Sequence, residues 1–429
     1  MLDKTPLQLS TDFKSVLDIM EKTHDSAFVT GRAGTGKSTL LQLFRNTTKK
    51  NVVVLAPTGV AALNVKGQTI HSFFKFAPRP NFMDEIKRFK NRKIFQKLDM
   101  IIIDEISMVR ADLIDGIDYF LQLQRDNDEP FGGVQMIFFG DLFQLPPVVA
   151  SKEEKMIFTL DYLSPYFFSA HVFESGFEMQ MFELAKIYRQ DERHFIRLLD
   201  AVRTNRIDYD DLVDLNERYF PHYEVEDYYI TLSTRNAIVD RINAQQLEQI
   251  DKKEYIYLSS ATGKFDPRLY PSESVLRLKE GAQAMFLRND PDKMYVNGTI
   301  GKIKTLTENS VIIEIEDNGK KKAIRVEKHT WEILKYNQRD NGKLETEVIG
   351  TFTQFPIRLA WAITIHKSQG KTFDKLIIDL GSGSFEHGQT YVALSRCRTL
   401  DGIVLKKRLT MNDIMVDERI VDFYEMNFR

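Results

Sequence analysis

The chain has 429 residues, 43% hydrophobic and 28% charged, with a formal net charge of −2. That length carries two or three domains and a sizeable core. The composition suits a folded globular protein, and the single cysteine, Cys397, rules out an internal disulfide and fits a reducing compartment.

No apolar run is long enough to span a membrane. The first residues, Met1-Leu2-Asp3-Lys4, lack a charged-then-apolar signal, so the expectation is an unexported protein that engages no membrane. With a near-neutral charge, any nucleic-acid binding must rest on local basic and aromatic groups.

The first strong signal follows the apolar run Ser26-Ala27-Phe28-Val29. Gly31-Arg32-Ala33-Gly34-Thr35-Gly36-Lys37-Ser38-Thr39 then leads into Leu40-Leu41-Gln42-Leu43-Phe44. Strand, glycine loop and helix in this order match the phosphate loop of nucleoside-triphosphatases. The glycines let the backbone wrap a polyphosphate, and the helix-start N–H groups point at it. Lys37 is expected to reach the outer phosphates and the Ser38 hydroxyl to ligand Mg²⁺. The competing reading is a plain glycine-rich turn.

Residues 52–64 predict a strand, a Pro57-Thr58 turn and a helix. Thr58 can start that helix with its free N–H groups facing an anion. Ordinary capping is the alternative. In Gln68-Thr69-Ile70-His71-Ser72-Phe73-Phe74, His71 and Phe73 are candidates to stack on unpaired bases, against a buried aromatic pair. Residues 75–92 are basic, with prolines and aromatics and no clear strand.

The run Leu98-Asp99-Met100-Ile101-Ile102-Ile103 ends in Asp104-Glu105. Ligands bind at the carboxyl ends of parallel strands. Asp104 is therefore expected to hold Mg²⁺ and Glu105 to orient or deprotonate the attacking water. The strand predicted at 134–139 runs into Gly140-Asp141-Leu142-Phe143-Gln144-Leu145-Pro146-Pro147, where Gln144 is a candidate γ-phosphate sensor or simply a turn residue.

Arg189, in Ile187-Tyr188-Arg189-Gln190, and Arg396, in Tyr391-Val392-Ala393-Leu394-Ser395-Arg396, offer planar forks for phosphoryl charge, although a lone arginine is usually a surface ion pair. Together they imply a second domain closing on ATP held by the first. Residues 229–239 repeat the strand, Ser-Thr turn and helix pattern, with Thr234 as a second anion grip. Residues 255–347 read as a small β-rich insertion with turns at Asn297-Gly298 and Asn318-Gly319. Lys320-Lys321-Lys322 within it meets phosphate or ends a solvated hairpin.

In helicase order, these motifs resemble the 5′→3′ branch of superfamily-one helicases, which includes RecD-like proteins. Closer still is the Pif-type (petite integration frequency) helicase family. Pro130-Phe131-Gly132-Gly133-Val134-Gln135 is the most specific match, and Ala362-Ile363-Thr364-Ile365-His366-Lys367-Ser368-Gln369-Gly370-Lys371-Thr372 adds a late helicase motif.

The resemblance implies an α/β fold of two RecA-like parallel-sheet domains. The first spans 1–175 with a duplex-splitting pin insertion at about 75–97. The second spans 176–429 with an SH3-like β-barrel insertion at about 255–347. ATP would bind Gly34, Thr35, Gly36, Lys37, Ser38 and Thr39, with Gly370 and Lys371 facing both nucleotide and DNA. Gln8 is the candidate for the family's adenine-reading glutamine. Leu142 stands where phenylalanine is common. Gln144, Arg189 and Arg396 would contact the γ-phosphate region. Pro57, Thr58, His71, Ser72, Phe73, Thr234, His366, Lys367 and Ser368 match DNA-contacting motifs.

The activity implied is ATP-dependent 5′→3′ unwinding of DNA, in replication, repair, recombination or telomere maintenance. Implied partners are single-stranded DNA, forked or tailed duplex and G-quadruplex DNA. The protein would be a monomer in solution, in the bacterial cytoplasm with the nucleoid or in a nucleus. The alternatives are a translocase or RNA-directed motor with weak unwinding, and a nucleotide-gated DNA-binding protein.

Overall fold

The computed structural model describes residues 10–77, 83–149, 152–292, 294–317, 320–338, 344–381 and 383–428. The first sheet has six parallel strands. In spatial order they are Gln68–Thr69, Val52–Ala56, Met100–Ile103, Gln135–Phe139, Ser26–Gly31 and Met179–Leu184. The strands at 26–31, 100–103 and 135–139 are buried along their whole length. That burial explains their continuous Val, Ile and Phe runs, because helices cover both faces of a parallel sheet.

The domain boundary placed at 175 falls short of this sheet. Met179–Leu184 pairs in parallel with Ser26–Gly31 as the outermost strand. The helix Glu418–Phe428 also returns to the first sheet. Phe423 and Phe428 lie 6.3 and 6.1 Å from the Phe28 ring, and Phe423 stacks at 4.3 Å on Phe168.

The second parallel sheet has four strands, ordered Ala362–Thr364, Ile230–Ser233, Leu376–Asp379 and Ile403–Leu405. Between its first two strands in sequence lies the β-rich insertion. It holds a five-stranded antiparallel sheet, a two-stranded sheet and a long hairpin, His329–Gln338 with Leu344–Gln354. The end placed at 347 lies inside this hairpin, and Ile357–Leu359 still belongs to the five-stranded sheet. Lys321 pairs with Glu314 along that sheet at 3.2 Å, and Asn318-Gly319 lies outside the described residues.

In the segment expected to be a pin, residues 78–82 lie outside the described set. The described part contains one-turn helices at Met83–Glu85 and Lys93–Gln96 and no strand. Phe89 and Phe95 pack edge-on against Phe120, while Arg88 and Arg92 both pair with Asp126. This segment is therefore anchored on the helix Ala111–Arg125.

Candidate functional site

The phosphate loop leaves the strand Ser26–Gly31 and enters the helix Lys37–Thr47. Gly34 and Gly36 have φ of 87° and 86°, a region that L side chains rarely adopt. Space is also tight: a Cβ at Gly34 would lie 2.5 Å from the Arg189 Cβ. Lys37 Nζ donates to the carbonyls of Gly31 (2.6 Å) and Arg32 (3.2 Å). Burial pulls its pKa down, against the nearby carboxylates of Asp141, Glu105 and Asp104.

Asp104 and Glu105 follow the strand Met100–Ile103. Glu105 takes φ 53°, a costly conformation for a residue with a Cβ. Burial, then the charge of Glu105, pushes the Asp104 carboxyl up to about 7. Burial raises Glu105 as well, with Lys37 and Arg396 opposing.

The second half of the chain faces this loop. Tyr188 N–H donates to the Gly34 carbonyl at 3.0 Å, and Arg189 Nη1 donates to the Ser395 carbonyl at 3.2 Å. Arg396 is buried and donates to Val392 O and Ser395 Oγ on its own helix segment. Burial, then Arg396, holds the Arg189 pKa down to about 9. Lys371 sits at about 8, lowered by burial, then Arg358 and Arg396. Among the described residues, Lys37, Arg189, Lys371 and Arg396 form no salt bridge. Lys371 and Arg396 are buried and Lys37 and Arg189 half-buried, and desolvated cations without an ion pair are costly unless an anion joins them.

Gln144 is buried beside this cluster, its amide nitrogen donating to Asp141 Oδ2 at 3.2 Å. Gly388 packs on it: a Cβ at Gly388 would lie 2.3 Å from the Gln144 carbonyl oxygen. The two halves of the chain thus touch at the Gln144 backbone. Tyr391 and Asp141, absent from the sequence-predicted set, also bridge here. Ala33 N–H donates to Tyr391 Oη at 3.0 Å, and Tyr391 donates to Asp141 Oδ2 at 3.3 Å. Their signal in the sequence was position alone, inside the sensor and late-arginine motifs. Ser38 and Thr39 lie in the first turn of the phosphate-loop helix, and Thr35 is buried beneath the loop. Gly370, at φ 72°, faces open space. Gln8 lies outside the described residues.

The residues matched to DNA motifs separate into two groups. Thr58 caps the helix Gly59–Asn64 by accepting from Ala61 N–H, and it is half-buried like Pro57. His71 is half-buried, its pKa lowered by burial and then Arg110, and Ser72 is exposed. Lys367 is exposed, and His366 Nε2 lies 3.2 Å from a Glu386 carboxylate oxygen.

Three other residues need correction. Phe73 is only 7% exposed and meets Phe74, Phe95 and Tyr336 edge-on, so its ring is not free to stack on a base. Ser368 is fully buried, with its hydroxyl donating to Ile365 O. Thr234 does not start its helix: Asn236–Glu248 is preceded by Arg235 and has no side-chain cap. The Thr58-like caps are instead Thr69 and Thr364, which accept from Ser72 and Lys367 N–H.

The family described as PIF1-like helicase matches residues 8–211. The ATP-dependent DNA helicase Pif1 of Bdellovibrio bacteriovorus is 33% identical, over 98% of this chain and 92% of that protein. Bacteroides sp Pif1 in complex with ADP-AlF4 is similar in structure, with a TM-score of 0.90 at 38% identity, covering 99% of this chain and 98% of that one. Bacteroides Pif1 in complex with ADP-AlF3 and ssDNA has a TM-score of 0.68 at 39% identity, covering 99% of both chains.

Proposed function

The chain belongs to the PIF1-like helicase family and is an ATP-dependent DNA helicase; from that premise we propose that it tracks 5′→3′ along single-stranded DNA and opens forked or tailed duplex. The observation that carries this reading is the half-buried Lys37 of the phosphate loop, Arg189 packed against Gly34, and the buried Arg396 and Lys371 of the second half, none in a salt bridge among the described residues. A triphosphate supplies the missing anion, and its cleavage changes how strongly the halves are held together.

Roles follow from position. The backbone of Gly34, Thr35 and Gly36 cradles phosphate, with Ser38 and Thr39 at the helix start. Lys37 neutralises the outer phosphates. Glu105 takes the proton of the attacking water. Gln144 senses that side of the site, while Arg189 and Arg396 meet the developing charge. Mg²⁺ fits Ser38 and Asp104, because a hydroxyl and a carboxylate are hard oxygen donors and a buried carboxyl raised to about 7 is relieved by a cation. When bound, the ion neutralises charge on the phosphate oxygens. Gln8 remains the proposed adenine reader.

The strand would cross the carboxyl ends of both sheets, over Pro57, Thr58, His71, Ser72, His366 and Lys367. In this conformation the insertion lies on part of that path. A Cβ at Gly59 would meet Leu269 Cδ2 at 2.3 Å. The lower TM-score against the ssDNA complex, at 39% against 38% identity, supports a rearrangement on strand binding.

A substrate with only a 5′ single-stranded tail should be unwound, and one with only a 3′ tail should not. The opposite result would refute the polarity. Lys37→Ala should abolish hydrolysis while leaving single-strand binding within about threefold, because the strand contacts lie elsewhere. Normal turnover in that variant would remove Lys37 from the site.

A further inference from the structure

We infer that Arg203 is a positioning residue for hydrolysis, which sets the Gln144 side chain through the carboxylate of Asp141. This rests on the reading of Gln144 as the phosphate-side sensor. Arg203 ends the helix Arg193–Arg203 and lies in none of the helicase motifs. It is 1% exposed, which for an arginine demands a strong reason.

Its guanidinium donates through Nε (3.3 Å) and Nη2 (3.2 Å) to one oxygen of Asp141. Glu183 is 3.8 Å from Nη1. The guanidinium carbon lies over the Phe143 ring at 4.3 Å and the Tyr424 ring at 5.2 Å. The guanidinium is therefore held by two adjacent rings and by its fork on Asp141, which a lysine could not reproduce.

The other oxygen of Asp141 carries the functional connection. It accepts from the Gln144 amide at 3.2 Å and from the Tyr391 hydroxyl at 3.3 Å. Tyr391 in turn accepts the N–H of Ala33 in the phosphate loop. One carboxylate thus ties the sensor, the phosphate loop and the helix segment leading to Arg396. Arg203 fixes the plane of that carboxylate through its two donated bonds. Without that fork the carboxylate can turn about its side-chain bonds, and Gln144 loses an oriented acceptor.

The test is steady-state, DNA-stimulated ATP turnover of the full chain, with kcat and KM measured separately. Arg203→Met should lower kcat about 30-fold while KM for ATP moves less than about threefold. Arg203→Lys should recover part of the loss. Adding Gln144→Ala to Arg203→Met should cost less than about twofold more, because the sensor is already displaced. If Arg203→Met does not fold, Tyr391→Phe, which keeps the ion pair, should also lower kcat with KM unchanged.

Wild-type kcat in folded Arg203→Met, wild-type kcat in Tyr391→Phe, or fully multiplicative losses in the double variant would overturn the inference. Gln144→Ala with full turnover would overturn the sensor reading and this inference with it. A deficient Gln144→Ala beside a normal Arg203→Met would overturn the inference alone.

Discussion

Asp104 and Glu105 are adjacent carboxyls, and burial, then the charge of Glu105, makes Asp104 harder to ionise. The sign of the consequence is definite. Asp104 titrates near 7 in the fold and near 4 in an unfolded chain. Over that window the folded state holds the extra proton, so the residue favours folding at low pH and opposes it as pH rises. Asp104→Asn removes the titration. In a chelator, its melting temperature should exceed that of the parent, by a gap that widens from pH 5 to pH 8. A gap that shrinks over this range would contradict the raised pKa. The variant should hydrolyse ATP poorly at every pH, the usual trade between stability and a charged active site.

The turn after Glu129 shows why a family signature need not touch substrate. Phe131 and Gly132 have φ of 55° and 61°. Phe131 is fully buried, its N–H donating to Asp118. Arg125 Nε donates to the Gly132 carbonyl at 2.6 Å, and its Nη1 serves the carbonyls of Phe95 (2.5 Å) and Leu98 (3.1 Å). One guanidinium therefore joins the signature turn, the end of the long helix and the pin segment. Arg125→Ala should destabilise the protein by about 2–3 kcal/mol, because three carbonyls lose a charged donor. Urea unfolding followed by circular dichroism measures this, and a loss below about 0.5 kcal/mol would show that water replaces the donor freely.

The same elements show what the sequence could and could not reveal. The phosphate loop, the acidic pair and Gln144 were legible because glycine, acid and strand-end patterns are local. The Thr58 cap was legible for the same reason. Thr234 had the same local pattern, yet its helix starts two residues later, and nothing in Ser-Thr-Arg-Asn fixes that register. Phe73 read as a surface aromatic because its burying partners, Phe95 and Tyr336, are distant in sequence. Arg203 was invisible, since its meaning depends on Asp141, Phe143 and Tyr424 meeting around it.

At the scale of the whole molecule, the insertion is fastened to the first sheet by a few polar contacts. Val54 N–H donates to Tyr336 Oη at 3.1 Å, Gln68 donates to the Leu334 carbonyl, and Leu344 N–H donates to Asn51 at 3.2 Å. If the strand must displace these contacts, removing them favours the strand-bound arrangement. Tyr336→Phe with Gln68→Ala removes two bonds of about 1 kcal/mol each. Single-strand affinity should then tighten about 5- to 30-fold, a range set by that energy. Stopped-flow binding of a fluorescent oligonucleotide measures it. Weaker binding would mean that the docked insertion helps to hold the strand.

The return of Glu418–Phe428 to the first sheet has a consequence for biosynthesis. The ribosome makes Phe28 early and Phe423 late, yet the two rings pack together. A nascent chain reaching only the sensor motif has the phosphate-loop strand but lacks the cover for one face of its sheet. Once Phe167 and Phe168 have joined Phe28, that aromatic face waits for about 255 further residues, on the order of tens of seconds at roughly 5–20 residues per second. The amino-terminal domain of this motor is thus finished by a helix made long after its own strands, and its folding is a natural point for chaperone engagement.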